Sequence, residues 1–225
     1  MQYKYETHLH TKEGSACSSS TGAMQARAHK EAGYTGIFVT DHFFNGNCAV
    51  KEDLPWKEKV NIFCSGYEGA KKEGDKIGLD VFFGFEFNFI GAEFLVYNLD
   101  KKWLLEHEDI DKVFVKKALK MMRDDGAFIV QAHPFRERDY LMDIKLYPRD
   151  VDGVEAVNAS QTGADKVMND RAYTYAKMYD LPVTGGSDTH HIDRLYGGGI
   201  ITNKKIVKPL DYLEMMKNGE LQILK

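Results

Sequence analysis

Two histidines stand one residue apart near the start of the chain, in the stretch YETHLHT. The surrounding run YKYETHLHT is rich in aromatic and β-branched residues, which predicts a strand. A strand directs alternate side chains to the same face, so His8 and His10 point in one direction. Two imidazoles side by side on a stiff strand can hold one metal ion. This pair therefore predicts part of a metal site.

Further residues of metal-binding types occur where later predicted strands end. In a parallel α/β barrel the carboxyl ends of the strands meet at one face, and such folds carry their active sites there. Imidazoles and carboxylates without thiolates suit Zn²⁺, Mn²⁺ or Fe. The motifs are TDH with Asp41 and His42, FGFEFN with Glu86, QAHP with His133, and GGSDTHH with Asp188 and His190.

Glu86 is the hardest of these residues to explain without a metal ion. It lies among phenylalanines in VFFGFEFNF, and burying an unpaired carboxylate there costs roughly several kcal/mol. Six of the eight histidines also fall at the predicted strand ends, and separate structural reasons for all six would be a coincidence. We therefore expect a polynuclear site in which Glu86 bridges two ions, able to hold a hydroxide and to clamp a phosphoryl or acyl oxygen.

The elements that would position these residues alternate between strand and helix. Such alternation predicts parallel βα units, and about seven strands in this length favour a closed barrel over the alternative, an open doubly wound sheet. The strands predicted over residues 79–90 and 92–100 are separated by little more than Gly91, which permits a hairpin. The predicted strands are 3–11, 34–42, 79–90, 92–100, 127–134, 153–160, 182–191 and 197–203, and the helices are 18–33, 55–78, 109–126, 164–180 and 210–219.

The composition predicts a single cytoplasmic domain over residues 1–225. The chain has 43% hydrophobic and 28% charged residues and a net charge of -4, which disfavours nucleic acid as a partner. It has no apolar run long enough for a membrane span and no signal-peptide core at its start. The scattered cysteines, Cys17, Cys48 and Cys64, form neither a disulfide framework nor a zinc ribbon. Nucleotide-binding glycine motifs are also missing from the sequence.

The ordered set HLH, TDH, a glutamate after an apolar strand, AHP and SDTH resembles the PHP (polymerase and histidinol phosphatase) family, from His8 to about Ile201. The resemblance implies an α/β fold, a distorted (β/α)7 barrel with two or three divalent metal ions (Zn, Mn or Fe) at its C-terminal face. It also implies hydrolysis of a small-molecule phosphate ester by metal-activated hydroxide. Carried over by position, the first metal takes His8, His10, Glu86 and Asp188, the second Glu86 and His133, and a third His42 and His190.

The chain departs from the family pattern at two places. Many members have an Asp or His after the first motif for the third metal, whereas TKEGSACSSST offers only Glu13 or Cys17. Many also have a histidine after the bridging glutamate, where EFLVY has Glu93. Glu93 is either an oxygen ligand of the second metal, which would favour Mn²⁺ or Fe²⁺, or a solvated hairpin charge.

Substrate binding requires a cationic group near the metals. HPFRER places Arg136 and Arg138 just after His133, and a guanidinium offers a fork of donors matched to phosphate oxygens. We favour Arg136, which is closer to a ligand, and Arg194 is a second candidate. Asn158, at the end of a strand on the same face, is a third candidate for contact with the substrate.

The candidate catalytic residues are Asp188, His190 and His191. His191 either donates a proton to the leaving group or has a structural role. Asp41 likewise has two interpretations, since it either orients a metal-binding histidine or serves as a turn residue.

Two other functions compete with a phosphomonoesterase. One is a metal-dependent hydrolase of phosphodiesters, including nucleotides, or of amides on a related barrel. Amidohydrolase barrels also begin with H-x-H but usually need a carbamylated lysine, and no lysine occurs among the strand-end residues. The other is a metal-binding module without turnover. The sequence does not identify the phosphoester, the native metal or the oligomeric state.

Overall fold

The strands of the chain curl into a nearly closed barrel. The computed structural model describes residues 2–139, 141 and 143–224. The strands are β1 Tyr3–Leu9, β2 Gly36–Val39, β3 Asp80–Phe89, β4 Ala92–Tyr97, β5 Phe128–Ala132, β6 Gly153–Asn158, β7 Val183–Gly186, β8 Ile200–Thr202 and β9 Gln222–Ile223. Their order in the sheet is β7-β6-β5-β4-β3-β2-β1-β8-β9. A parallel bridge between Leu9 and Thr189 brings the segment after β7 back to β1, which confirms the predicted barrel.

The barrel is distorted because β4 runs against both of its neighbours, and the short β8 is antiparallel to β1. β1, β2 and β3 are mutually parallel, as are β5, β6 and β7, whereas β4 is antiparallel to both β3 and β5. The hairpin that the sequence permits at Gly91 is present, since the turn at Ile90 and Gly91 has no room for a crossover helix. The reversal places Glu93, near the start of β4, at the same end of the barrel as His133.

Helices pack around the barrel. The first begins at Gly22 rather than at residue 18, and the Thr21 side chain caps it by accepting a hydrogen bond from the Met24 N–H. The predicted helix 55–78 is two helices that meet at Cys64, and a helix after Asp100 was not predicted. No helix in the described residues is long and apolar enough to cross a bilayer. The helices are α1 Gly22–Glu31, α2 Trp56–Phe63, α3 Ser65–Ile77, α4 Lys101–Glu106, α5 Val115–Asp124, α6 Lys166–Met178 and α7 Pro209–Lys217, with 3-10 turns at Ile110–Lys112 and Gly163–Asp165.

Alternation along β3 separates Glu86 from the phenylalanines beside it in sequence. Phe85 and Phe87 belong to the apolar cluster that includes Phe63 of α2, on the outer face. Glu86 therefore points to the opposite, inner face. At the α7 end the interior is filled by packed aromatic rings, those of Phe38, Tyr97, Phe128 and Tyr212. The other end is left for polar side chains.

Candidate metal centre

The two histidines of the first motif extend from the end of β1 into the barrel. His8 Nε2 lies 3.1 Å from His10 Nε2. Asp188 Oδ1, from the loop after β7, lies 3.1 Å from His10 Nε2 and 3.5 Å from His8 Nε2. All three side chains are buried. Three ligand-type atoms this close together, contributed by two elements, can surround one ion.

Glu86 lies between several histidines. Its Oε1 is 3.3 Å from His8 Nε2 and 3.2 Å from His133 Nε2. Its Oε2 is 2.7 Å from His42 Nδ1. Because the two carboxylate oxygens face different imidazoles, Glu86 has the arrangement expected of a bridging ligand. It occupies the seventh position of the ten-residue β3, which continues to Phe89, rather than the end of the strand.

All eight predicted ligands fall into four overlapping groups. Within each group the ligand atoms lie no more than 4.8 Å from one another. The groups share members, so they describe one continuous cluster rather than separate sites. They are His8, His10 and Asp188; His8, Glu86 and His133; His42, Glu86 and Glu93; and His10, His42 and His190.

Unpartnered buried atoms indicate that metal ions fit this cluster. Glu86 Oε2, Asp188 Oδ1 and His42 Nδ1 are buried without a hydrogen-bond partner in the described residues. An unsatisfied buried polar group costs roughly 1–3 kcal/mol, and more if it is charged. Divalent cations would satisfy all three atoms. The imidazole and carboxylate donors suit Zn²⁺, Mn²⁺ or Fe²⁺.

The cluster also perturbs the protonation of its own members. Burial alone would raise the pKa of Glu86, but His8 and His42 hold that pKa well below its usual range. Burial would likewise raise the pKa of Asp188, and Arg136 and His8 lower it instead. Burial, together with His42, lowers the pKa of His10. Burial would also lower the pKa of His8 and His42, but Glu155 beside His8 and Glu86 beside His42 raise it, so a bound metal ion would displace their protons.

Glu155, on β6, positions two of the ligands and was missed by the sequence interpretation. Its Oε1 accepts a hydrogen bond from His8 Nδ1 at 2.9 Å. Its Oε2 accepts from the His133 backbone N–H at 3.0 Å and from Asn158 Nδ2 at 3.1 Å. These contacts direct His8 Nε2 towards the cluster. The sequence offered a signal for Glu155, because an acidic residue lies inside the apolar run GVEAVN. The same kind of signal indicated Glu86.

Asp41 acts on His10 through Ser15. The Ser15 hydroxyl donates to Asp41 Oδ1 at 2.7 Å and lies 3.0 Å from His10 Nδ1. Asp41 Oδ2 accepts from the Thr11 hydroxyl at 2.7 Å. Burial raises the pKa of Asp41 to about 6, although the hydrogen bonds from Thr11 oppose this shift. The contact with Ser15 fits the orienting interpretation of Asp41, and the hydrogen bond from the Thr11 backbone N–H fits the turn interpretation.

Arg136 lies against the acidic side of the cluster. Its Nη2 donates to Asp188 Oδ2, and its Nη1 is 3.9 Å from Glu93 Oε2. The guanidinium reaches a cavity of about 540 Å³ whose wall also includes His42, Asn88 and Glu93. The Arg136 guanidinium therefore lies between the predicted metal ligands and the open cavity. An anionic substrate would enter from this cavity.

The other substrate and proton-transfer candidates occupy different surroundings. Asn158 is fully buried behind the ligands, where it donates to Glu155. His191 Nδ1 lies 2.7 Å from the Ser19 hydroxyl. Arg194 is exposed in the loop that follows, and its backbone N–H donates to His191 O. The roles of these three residues remain predictions.

The residues at the two departures from the family pattern also have defined positions. Glu93 Oε2 lies 3.5 Å from His133 Nε2, which places its carboxylate beside the predicted second metal. Glu13 instead accepts a hydrogen bond from the Gly22 N–H at the start of α1. The Cys17 thiol contacts His190 and His42. Burial would raise the pKa of Cys17, but hydrogen bonds with these two histidines lower it to about 7.

Comparisons with known proteins agree with this architecture. Residues 168–208, which include Asp188 and His190, match the family model described as PHP-associated. No curated protein matches the chain in sequence. A two-domain protein from Bacteroides vulgatus, described as containing a predicted PHP-like metal-dependent phosphoesterase, shares the fold with a TM-score of 0.71 and 15% identity. The match covers 100% of this chain and 65% of that one, so the chain spans slightly less than two thirds of its length.

Two further solved structures of similar fold have other names. An amidohydrolase from Chromobacterium violaceum has a TM-score of 0.60 and 12% identity, over 99% of this chain and 98% of that one. A lesion-specific endonuclease from Pyrococcus furiosus has a TM-score of 0.61 and 14% identity, over 99% of this chain and 58% of that one. The shared fold confirms the predicted barrel, and the match to the PHP-associated family model covers residues 168–208. Identities this low show the fold alone.

Proposed function

We propose that the chain is a metal-dependent phosphoesterase that hydrolyses a small phosphate ester. The observation that carries this proposal is the buried cluster around Glu86, whose unpartnered Oε2 faces His42 at the wall of an open cavity. Metal-type ligands alone would fit a purely structural site. A structural site, however, is usually closed, whereas a catalytic site keeps an open position. The cavity beside Arg136 and His42 provides that access.

Different side chains would have different roles in such a reaction. His8, His10, Glu86 and Asp188 would hold the ions, and Glu155 and Ser15 keep the imidazoles oriented towards them. When bound, divalent ions lower the pKa of coordinated water and neutralise charge on phosphoryl oxygens. In the structure the guanidinium of Arg136 is paired with Asp188.

Arg136 would recognise the phosphate. Metal ions would take over the neutralisation of Asp188, so the guanidinium fork would become available to phosphate oxygens. His191 is the proposed proton donor to the leaving group, with its Nδ1 fixed by Ser19. Asp188 and His190 contribute to catalysis as ligands on the same loop.

A phosphomonoester is the substrate that this site favours. Its dianionic head group complements a cavity in which ions and Arg136 combine their positive charge. The similar folds named as an amidohydrolase and an endonuclease make an amide and a phosphodiester the competing substrates. No lysine occurs among the strand-end residues of the sequence, whereas amidohydrolase barrels usually need a carbamylated lysine.

The test is a comparison of three chromogenic substrates with one enzyme preparation. Metal-free protein is reconstituted with Mn²⁺ or Zn²⁺ and assayed on p-nitrophenyl phosphate, bis(p-nitrophenyl) phosphate and p-nitroacetanilide. We expect the monoester to be hydrolysed fastest, with activity lost on chelation. Preference for the diester or the amide would contradict the proposed substrate class, and no turnover of any of the three would contradict the proposed reaction.

Arg136→Lys provides the matching test of phosphate recognition. Lysine keeps the charge but loses the planar fork, so kcat/KM for the monoester should fall about tenfold, equivalent to about 1.4 kcal/mol. Arg138→Lys is the control, because Arg138 is exposed and lies 3.5 Å from Asp165 rather than from the cluster. Equal kcat/KM values for both variants would contradict the role of Arg136 in phosphate recognition.

A further inference from the structure

Cys17 lies in the segment where many family members have an Asp or His, and the family pattern assigns no role to a cysteine there. It lies in the loop between β1 and α1, and this loop is held on both sides. The backbone N–H of Ala16 donates to Asn47 O at 2.9 Å, and the Ser18 hydroxyl donates to His190 O at 2.6 Å. Cys17 is thus fixed between the loop that follows β2 and the loop that follows β7.

The imidazoles that meet the thiol belong to one of the ligand groups. Nitrogen atoms of His10, His42 and His190 lie within 4.8 Å of one another, and the rings of His42 and His190 each lie close to that of His10, with centroids 4.2 and 4.3 Å away. The Cys17 thiol contacts His42 and His190 and lines the same cavity. Cys17, His42 and His190 therefore line one cavity, and the His10 imidazole lies beside the two histidines.

An independent observation indicates that this region is built for a ligand. The His42 side chain is only 8% exposed, and its Nδ1 has no hydrogen-bond partner in the described residues. That atom is 2.7 Å from Glu86 Oε2 without the alignment of a hydrogen bond. His190 Nδ1 donates a hydrogen bond to the backbone oxygen of Asp188 at 2.8 Å, so Nε2 is the ring nitrogen that a ligand would meet. A cation between these side chains would satisfy both histidines.

We propose that Cys17 is a thiolate ligand of a third metal position, together with His42 and His190. Glu13, the other candidate in its segment, is turned away to the start of α1. Sulfur and nitrogen donors favour softer divalent ions such as Zn²⁺ and Co²⁺, whereas Glu86, Glu93 and His133 supply a harder position suited to Mn²⁺ or Fe²⁺. The two ends of the centre would therefore prefer different metals. This inference rests on the metal centre of the proposed function.

Cobalt absorption spectroscopy tests the proposal without relying on turnover. Metal-free protein is titrated with Co²⁺ under reducing conditions, and bound cobalt is counted in each sample. We expect a thiolate-to-cobalt charge-transfer band in the near ultraviolet for the unmodified protein. Cys17→Ser should abolish the band, and Cys17→Asp should abolish it while keeping the cobalt count. Cys48→Ser is the matched control, because this half-buried cysteine accepts from the Val50 N–H and should leave the band unchanged.

The outcomes separate this inference from the proposed function. Bound cobalt without a charge-transfer band, a band that survives in Cys17→Ser, or no cobalt binding would overturn the assignment of Cys17. Hydrolysis of p-nitrophenyl phosphate is measured on the same cobalt-loaded samples. Turnover without the band would leave the phosphoesterase proposal standing, and the band without turnover would support the thiolate ligand while contradicting the proposed reaction.

Discussion

Glu155→Gln tests whether the residues behind the ligands control metal affinity. Glu155 uses one carboxylate oxygen for His8 Nδ1 and the other for the His133 backbone N–H. Glutamine has one acceptor oxygen, so one of these buried donors would face an amide NH₂ group. An unpaired buried donor costs roughly 1–3 kcal/mol. At about 1.4 kcal/mol per factor of ten, the metal affinity should fall about 10- to 100-fold, as expected for an outer partner of a ligating histidine.

The assay is a competitive titration of the metal-free protein against a chromophoric chelator. Glu106→Gln is the control, because it makes the same chemical change on a side chain that is 58% exposed on α4. Urea unfolding of the metal-free variants confirms that each is folded. If folded Glu155→Gln bound metal as tightly as Glu106→Gln, the reasoning that assigns Glu155 a positioning role would be refuted.

Two further predictions concern stability. Burial lowers the pKa of His29 to about 4, below its unfolded value of about 6.5. The neutral His29 therefore contributes fully to the free energy of unfolding above about pH 6.5, and this contribution is lost as the pH falls towards about 4. Between pH 7 and pH 5 the metal-free protein should lose about 2 kcal/mol more unfolding free energy than His29→Gln, and equal losses in urea unfolding would contradict this. A Cβ on Gly22 would lie 1.9 Å from Gly66 O, whereas the nearest atom to a Cβ on Gly69 is Ala23 N at 4.0 Å. Thermal unfolding should therefore show Gly22→Ala destabilised by about 1–3 kcal/mol and Gly69→Ala stabilised by about 0.5–1 kcal/mol, and the opposite order would contradict the packing of α1 on α3.

Much of the ligand set could be predicted because it follows local rules. A strand fixes which side chains share a face, and parallel strand ends meet, so His8, Glu86 and His133 could be assigned to one cluster from the sequence alone. The reversal of β4 was harder to predict, since only the short turn at Gly91 indicated it. It nevertheless decides where the carboxylate of Glu93 lies.

The supporting residues could not be predicted from spacing, because their roles depend on contacts between distant segments. Glu155 is 147 residues from His8, and its role appears only when β6 lies beside the end of β1. The choice between Glu13 and Cys17 likewise depends on how one loop folds against two others. Local pattern identifies candidate donors, whereas the tertiary structure decides which atoms they face.

The most direct test of the central claim is elemental analysis of the purified protein and of Glu86→Gln, each incubated with Mn²⁺ and Zn²⁺ and then freed of unbound metal. Glu86 supplies both oxygens of the proposed bridge, so its loss should weaken two positions together. We expect two or three ions per chain in the unmodified protein and clearly fewer in folded Glu86→Gln. No bound metal in the unmodified protein, or the same metal content in both proteins, would contradict the account.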